Sequence, residues 1–534
     1  MNILSPHRLR AVEAGLIPVL LILAAACTSD GGRDGTPGPP AFQESYRPQF
    51  HFTPAENWMN DPNGLVFHDG EYHLFYQHDP HRPFFWSIHW GHAVSRDLVH
   101  WEHLPVALCP DETLGVPYSG SAVVDRHDTS GLCENPATGD DLCLVAIFTH
   151  HGGADGTEKQ SLAFSRDGGR TLALYGGNPV LPNSGEIDFR DPKVFRHEPT
   201  ERWIMVLAVH DRVRFYGSSD LVDWAYLSDF APVGVPGGVW ECPDLFELPV
   251  EGEPGRRAWV LQVDINAGLS VGGGAPVYFV GDFDGTGFTP DRTGARLVDY
   301  GADFYAAQSW SDVPDGRRIW IAWMNNWRYA LFLPTSPWRG AMTVPRELSL
   351  AGAGEEVVLL QRPVPEIEAL RGDRLLSLQQ ETIDGASDIL TGVSGSALEI
   401  LVEIEVKEAA RVSIGVRIGE EERTVIGYDT EAGSLFLDRT RSGRGRFNPR
   451  FSARHNAPLS LAGGVLDLRV LVDWSSVEVF AGNGSAVITD LVFPDPGSRG
   501  LEIHSEGGEA VIRSLEVYAL HSIWEDPQVR GTEP

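Results

Sequence analysis

Cysteine is scarce in this chain, five in 534 residues, and no two stand in a CxxC pair, so a cysteine zinc site has no support. Basic residues are also in short supply. Lys and Arg total 42 against 74 Asp and Glu, a formal net charge of −32, which excludes the clustered cations that nucleic-acid phosphates require. An acidic surface suited to a saline medium is the plainer account. Helical periodicity is nearly absent from about residue 50 to 350. Long apolar runs are missing too, except at the start.

That start reads as an export signal. His7, Arg8 and Arg10 precede an apolar run, Ala14 to Ala26, too short to span a bilayer as a helix. It closes on Leu23-Ala24-Ala25-Ala26-Cys27, which resembles a bacterial lipoprotein signal. The expectation is cleavage before Cys27, a lipid on its thiol, and a flexible tether rich in Gly, Asp and Pro over 28–44. An ordinary secretory signal is the alternative, and either way the protein is exported. Cys133 and Cys143 bracket a polar loop and are read either as a disulfide or as two thiols, whereas Cys109 and Cys242 are expected to pack as small hydrophobes.

What the chain has in quantity is aromatic residues, glycine and proline: Trp 15, Phe 24, Tyr 13, Gly 58 and Pro 37. Short apolar–aromatic runs alternate with turn residues and pair as hairpins, Gly64–His68 with Tyr72–Gln77 across Asp69-Gly70 being one. A weak repeat is present, each unit opening on a polar residue at its first strand: Asp61, Ser119, Asp191, Glu241 and Asp303. Three units also carry a Ser-x-Asp signal, at Ser95-Arg96-Asp97, Ser165-Arg166-Asp167 and Ser218-Ser219-Asp220. Units of this length with about four strands each suit the blades of a five-bladed β-propeller, whose inner strands line a central axis. The expected all-β organisation is a propeller over 45–350, a linker with a short helix over 351–374, a β-sandwich of about a dozen strands over 375–521, and a tail over 522–534.

Three carboxylates stand in unusual company. Asp61 lies in Trp58-Met59-Asn60-Asp61-Pro62-Asn63-Gly64, Asp191 in Phe189-Arg190-Asp191-Pro192, and Glu241 in Trp240-Glu241-Cys242-Pro243-Asp244. Asp-Pro-Asn-Gly alone is an ordinary turn sequence. Three acids at corresponding points of three blades are harder to explain that way. Cleaving a glycosidic bond needs a proton on the leaving oxygen and an anion facing the forming oxocarbenium ion, and two close carboxyls divide these tasks because both cannot ionise cheaply. Trp58, Trp86, Trp240 and Trp327 offer apolar faces to sugar C–H groups, while Asn60, Gln77 and Arg190 offer hydrogen bonds to hydroxyls.

Together these segments resemble glycoside hydrolase family 32, the invertases, levanases and exo-inulinases. Tyr118-Ser119-Gly120-Ser121 is similar to a Phe-Ser-Gly-Ser segment lining that family's fructose pocket, with Tyr118 a departure. Phe75-Tyr76-Gln77, Trp90-Gly91-His92-Ala93, Asp303-Phe304-Tyr305-Ala306, Trp323-Met324-Asn325-Asn326-Trp327 and Asp473 to Phe480 also agree. The resemblance covers about residues 45 to 520, and the run Trp320 to Arg346 looks more like levanases and exo-inulinases than like plant or yeast invertases. It implies Asp61 as nucleophile, Glu241 as acid/base and Asp191 as stabiliser of the transition state. Asn60, Gln77, Trp86, Tyr118, Ser119, Arg190 and Trp327 are then the substrate-binding residues. The implied activity is retaining hydrolysis of β-fructofuranosides such as levan, inulin or sucrose. Rival readings are fructosyl transfer on the same site, a non-catalytic fructan-binding lipoprotein, and a hydrolase for arabinose polymers. No cofactor, metal or nucleic-acid partner is expected, and membrane contact is expected only through Cys27. The eight histidines from His68 to His103 match no zinc spacing, and Gly272-Gly273-Gly274 is a loop with no helix after it to cradle a phosphate.

Overall fold

The computed structural model describes residues 42–133, 143–233, 235, 237–266, 274–353 and 356–524. The signal, Cys27, most of the tether, Gly272 and Gly273 and the residues after Trp524 lie outside them. The described chain is nearly all β, interrupted only by short 3-10 turns.

Five antiparallel units of four strands follow one another. Blade one uses Asn57–His68, Glu71–Asp79, His89–Ser95 and Glu102–Leu108. Blade two uses Val116–Asp125, Cys143–Gly152, Thr157–Ser165 and Ala173–Leu174, and blade three Phe189–His197, Arg202–Val209, Arg212–Ser218 and Ala225–Phe230. Blade four uses Val239–Glu251, Arg257–Asn266, Gly274–Phe283 and Phe288–Pro290. Blade five uses Tyr305–Ser309, Arg318–Trp323, Arg346–Ala353 and Glu356–Pro363. Trp338–Arg339 runs parallel to Asn57–Trp58 and ties blade five to blade one. The Ser-x-Asp repeat has a simple cause. Each Ser ends the third strand of its blade, and in blades one and three the Asp carboxylate accepts the backbone N–H groups two and three residues on, at Val99 and His100 and at Val222 and Asp223.

Blade five runs further than the sequence suggests. The expected linker over 351–374 is instead largely strand, because Val357, Leu359 and Leu360 bury their side chains as Glu356–Pro363 pairs with Arg346–Ala353. The short helix is present as a 3-10 turn, Pro365–Leu370, with proline at its start. Ten strands from Arg371–Ser387 to Gly500–Leu520 then form the sandwich, fewer than the dozen expected. Alternate residues such as Ile400, Val402 and Ile404 enter its core, as a period of two requires. Gly500–Leu520 bends at Gly507-Gly508 (φ +78° and +150°), so that its first part pairs with Arg411–Ile418 and its second with Leu398–Glu405, joining the two layers.

A separate apolar cluster bonds the sandwich to the propeller: Phe50, Phe52, Leu65, Ile321 and Val344 pack with Ile367, Leu471, Phe480 and Val487. Cys133 and Cys143 are joined as a disulfide. Cys109 is half-buried and is not one of the buried core residues.

Candidate active site

The five inner strands share a feature that the sequence repeat only hints at. Each carries a break in ladder register near its opening. The breaks fall between Met59 and Pro62, between Pro117 and Gly120, opposite Val206–Ala208 at Asp191-Pro192, between Glu241 and Asp244, and between Tyr305 and Gln308. Such bulges free side chains from the ordinary alternation and re-aim them. Asp191, Cys242 and Ala306 take φ values of +64°, +48° and +55° at these points, a costly conformation for residues with a Cβ. Asp61, Ser119, Asp191, Glu241 and Tyr305 all sit at these breaks.

Bonds between blades hold the group in place. Ser119 donates to Asp61 Oδ2 at 2.7 Å. Asp191 N–H donates to Thr149 Oγ1 at 3.0 Å, and Asp191 Oδ2 accepts Cys242 N–H at 3.0 Å. Gln308 Nε2 donates to the carbonyls of Cys242 and Pro243. The Cys242 thiol lies 3.7 Å from Asp61 Oδ2 and 3.6 Å from Asp191 Oδ2. It is therefore not merely a hydrophobe. Burial, with the charges of Asp191 and Asp61, pushes its pKa well up, so it stays a thiol whose single S–H lies within reach of both acids. Glu241 Oε1 accepts Arg190 Nη2 at 3.1 Å, and Oε2 accepts the Tyr305 hydroxyl. Asp61 Oδ1 is buried with no hydrogen-bond partner.

The electrostatics follow from burial. Asp61 is raised, chiefly by desolvation, with Asn60 and Ser119 pulling it back. Glu241 is raised by burial; Arg190 and Tyr305 lower it and the charge of Asp61 raises it. Asp191 is pushed up to about 7 by burial, with Glu241 and Asp61 adding to the rise against Arg190. Among the described residues Arg190 is the only cation hydrogen-bonded to these acids; it bonds Glu241 and faces Asp191, so the cations near the three carboxylates do not match them and the cluster retains a proton near neutrality. The His73–His92 pair belongs to the core of blade one, both rings driven towards neutrality by burial.

Other anticipated residues divide. Ser119 and Arg190 join the carboxylates directly. Tyr118 stacks on His151 at 4.4 Å, and Trp327 on Trp58 at 6.0 Å, both half-buried at the mouth. Trp86 is 69% exposed on the rim, with the Arg82 guanidinium over its ring. Asn60 is buried, its carbonyl taken by the Trp58 indole N–H at 2.7 Å and its side chain bonded to Asp61. Gln77 is correspondingly buried and donates to the Pro117 carbonyl, so it supports the site wall from behind. Trp58 and Trp240 are core residues at 0% and 2% exposure and present no face to a sugar.

The fifth position needs correcting. Asp303 does not reach the axis. It bonds Arg439 and Tyr329 at the sandwich contact, and Tyr305 takes its place beside Glu241. Asp264 was not anticipated. It pairs across the ladder with Glu241, is fully buried, accepts only Gln262 Nε2 as a side-chain partner, and is raised well above the usual carboxylate range by desolvation. Cross-strand placement carries that information, and a strand of apolar residues interrupted by Asp264 was its one sequence signal.

An acid pair, a third acid and a guanidinium at the axis of a propeller backed by a sandwich define a glycoside hydrolase. The chain belongs to glycosyl hydrolase family 32: residues 51–363 match the model of that family's N-terminal domain and residues 366–519 that of its C-terminal domain. It is 48% identical over 528 residues to a levanase of Bacillus subtilis, covering 97% of this chain and 75% of that protein. It is 36% identical over 521 residues to an extracellular exo-inulinase of Aspergillus awamori, covering 90% of this chain and 96% of that protein. The crystal structure of exo-inulinase from that fungus superposes with a TM-score of 0.85 at 36% identity, over 90% of this chain and 100% of the other. A β-fructofuranosidase from Schwanniomyces occidentalis complexed with fructosyl-erythritol superposes with a TM-score of 0.81 at 30% identity, over 90% and 99%.

Proposed function

We propose that the protein releases fructose from β-fructofuranosides, levan, inulin and sucrose among them, by double displacement. Asp61 attacks the anomeric carbon with Oδ1, the oxygen left without a partner. Glu241 gives its proton to the departing oxygen, and Asp191 grips fructose hydroxyls more tightly as positive charge grows on the ring. Once Asp61 is esterified its charge is gone, so one cause of the raised Glu241 pKa disappears. Glu241 is then the better placed to take a proton from water and release the sugar. The observation that carries this reading is the convergence of Asp61 and Asp191 on Cys242, with Glu241 its chain neighbour and bonded to the Arg190 guanidinium. The kinship with levanase, exo-inulinase and β-fructofuranosidase supports fructans and sucrose as substrates.

The decisive measurement is stereochemical. The first-formed fructose should be β, seen by NMR before mutarotation. Glu241→Ala should keep activity on a substrate with an activated leaving group and yield β-fructosyl azide when azide is added. Initial release of α-fructose would overturn Asp61 as nucleophile.

We also propose that the mature protein is exported and held to a membrane by a lipid on Cys27. Mass spectrometry of the mature N-terminus tests this: a diacylglyceryl thioether on Cys27 is expected, and a Cys27 found in a disulfide would end the proposal.

A further inference from the structure

Arg190 is held on more sides than a substrate-binding arginine needs. Its Nη2 reaches Glu241 Oε1, while its Nη1 is shared by Glu158 Oε1 at 2.9 Å and Asp188 Oδ1 at 2.8 Å. Glu158 comes from the third strand of blade two, crosses to blade three, and is buried at 8% exposure. Its other oxygen accepts the Phe189 N–H at 2.6 Å, which fixes the backbone next to Arg190. Two half-exposed histidines back these acids, His151 Nδ1 on Glu158 at 3.2 Å and His210 Nδ1 on Asp188 at 3.1 Å. The result is a chain of hydrogen-bonded polar groups from solvent to Glu241, none of which bonds Asp61 or Asp191.

We infer that Glu158, assisted by Asp188, is a positioning residue that sets how much of the Arg190 charge reaches Glu241 and so fixes the pH at which Glu241 gives up its proton. The inference rests on the reading of Glu241 as acid/base. The charge count makes it work. A guanidinium given wholly to Glu241 would hold that carboxyl ionised and spoil it as an acid. Two further carboxylates on the same guanidinium, each accepting Nη1 through one oxygen, spend part of that field and help hold the group in place. The other groups facing Glu241 are Asp61, Asp191, Tyr118 and Tyr305, with Asp264 and Asn266 from the next strand; Cys242 adjoins it in the chain. Arg190 also faces Asp191, and Glu158 also faces Tyr118. None of these bonds Nη1, so Glu158 and Asp188 are the groups whose removal redirects Arg190. The low pKa of Glu158, held down against burial by His151 and Arg190, is consistent with a fixed negative charge at this point.

The test is the pH profile of kcat/KM on sucrose for the full chain with Glu158→Gln, which keeps the shape and removes the charge. The alkaline limb, where Glu241 loses its proton, should move to lower pH by about one unit. On β-fructosyl fluoride, whose fluoride leaves without a proton, activity should stay within about twofold. Glu158→Asp should bring the limb back towards wild type. Asp188→Asn, at a more exposed position, should move it the same way by less, and serves if Glu158→Gln does not fold. A limb that stays in place while activity falls equally on both substrates would make Glu158 merely structural and overturn the inference. Glu241→Gln separates the two claims. If it abolishes the alkaline limb on sucrose while Glu158→Gln leaves that limb in place, only the role of Glu158 fails. If Glu241→Gln keeps the wild-type limb, the assignment of Glu241 fails and this inference with it.

Discussion

Two places in the molecule bury several carboxylates, and they treat them in opposite ways. At the propeller axis Arg190 bonds Glu241 and faces Asp191, Asp61 has no bonded cation among the described residues, and all three acids are pushed up by burial. Where propeller meets sandwich, Asp299 and Glu478 share Arg346, and Asp303 and Asp490 share Arg439. Histidines complete that second set: His51 bridges Asp473 and Glu478 at 2.7 and 2.8 Å, and His455 bonds Asp490 at 2.7 Å. Glu478 and Asp490 are held low there by their arginines against the cost of burial, although Asp299 and Asp303 are still raised by it. Arginines and histidines bonded to every one of these acids at the interface fix a geometry. Unmatched charges at the axis keep a proton available and leave an oxygen free, at a cost in stability that chemistry requires.

The widest gap between the two regions should appear on removing Asp61. Asp61→Asn should lower kcat/KM by about 10⁴-fold or more, on the order of 5 kcal/mol, while the melting temperature holds or rises because a buried unpaired charge is gone. A matching fall in stability would mean that the axis is built like the interface. Next in size is Arg346→Met. It leaves Asp299 without its cation and Glu478 with only His51, and should cost about 3–5 kcal/mol in unfolding free energy, read by denaturant titration, with turnover of the folded enzyme little changed. Asp191→Asn should lower kcat by roughly 10²–10³-fold, about 3–4 kcal/mol, with a smaller change in KM, as expected for a grip that tightens in the transition state. Normal kcat with weaker binding would make its role uniform. The smallest effect is on pH. Asp473 and Glu478 outweigh burial and raise His51 from 6.5 to about 9. Its protonated form is therefore favoured in the folded state. That contribution is complete below about pH 6.5, fades as pH climbs through about 9, and is at most about 3 kcal/mol. His51→Gln should lower stability at neutral pH and flatten that alkaline decline, as thermal melts across pH would record.

Much of this was legible in the residues. Hairpins marked by Asp69-Gly70 fold as read, with Phe67 opposite Tyr72 and His68 opposite Glu71. The three acids were visible because polar residues interrupt apolar strands at repeating points. Local pattern fails where the partner is distant. Nothing near Asp303 foretells Arg439, 136 residues on, so its place at the interface and the substitution of Tyr305 at the axis were hidden. Likewise Trp58 and Trp240 have the residue type of a sugar platform, but whether an aromatic ring faces solvent or core depends on the bulge before it, and register breaks leave no mark in composition. Asp264 and Glu158 owe their importance to cross-strand and cross-blade neighbours, a relation that spacing along one strand does not encode.

The tie between the chain's two ends has a consequence in time. Asp473 accepts the backbone N–H groups of Gln49 and Phe50 and the ring of His51, across as many as 424 residues. A few residues beyond His51 begins the strand that carries Asp61. A ribosome that has made every blade but not yet Asp473 has therefore produced a ring whose first strand lacks its anchor. Contacts of such span close late and slowly. Synthesis of nearly the whole chain therefore precedes the moment at which the stretch leading into the nucleophile's strand finds this anchor.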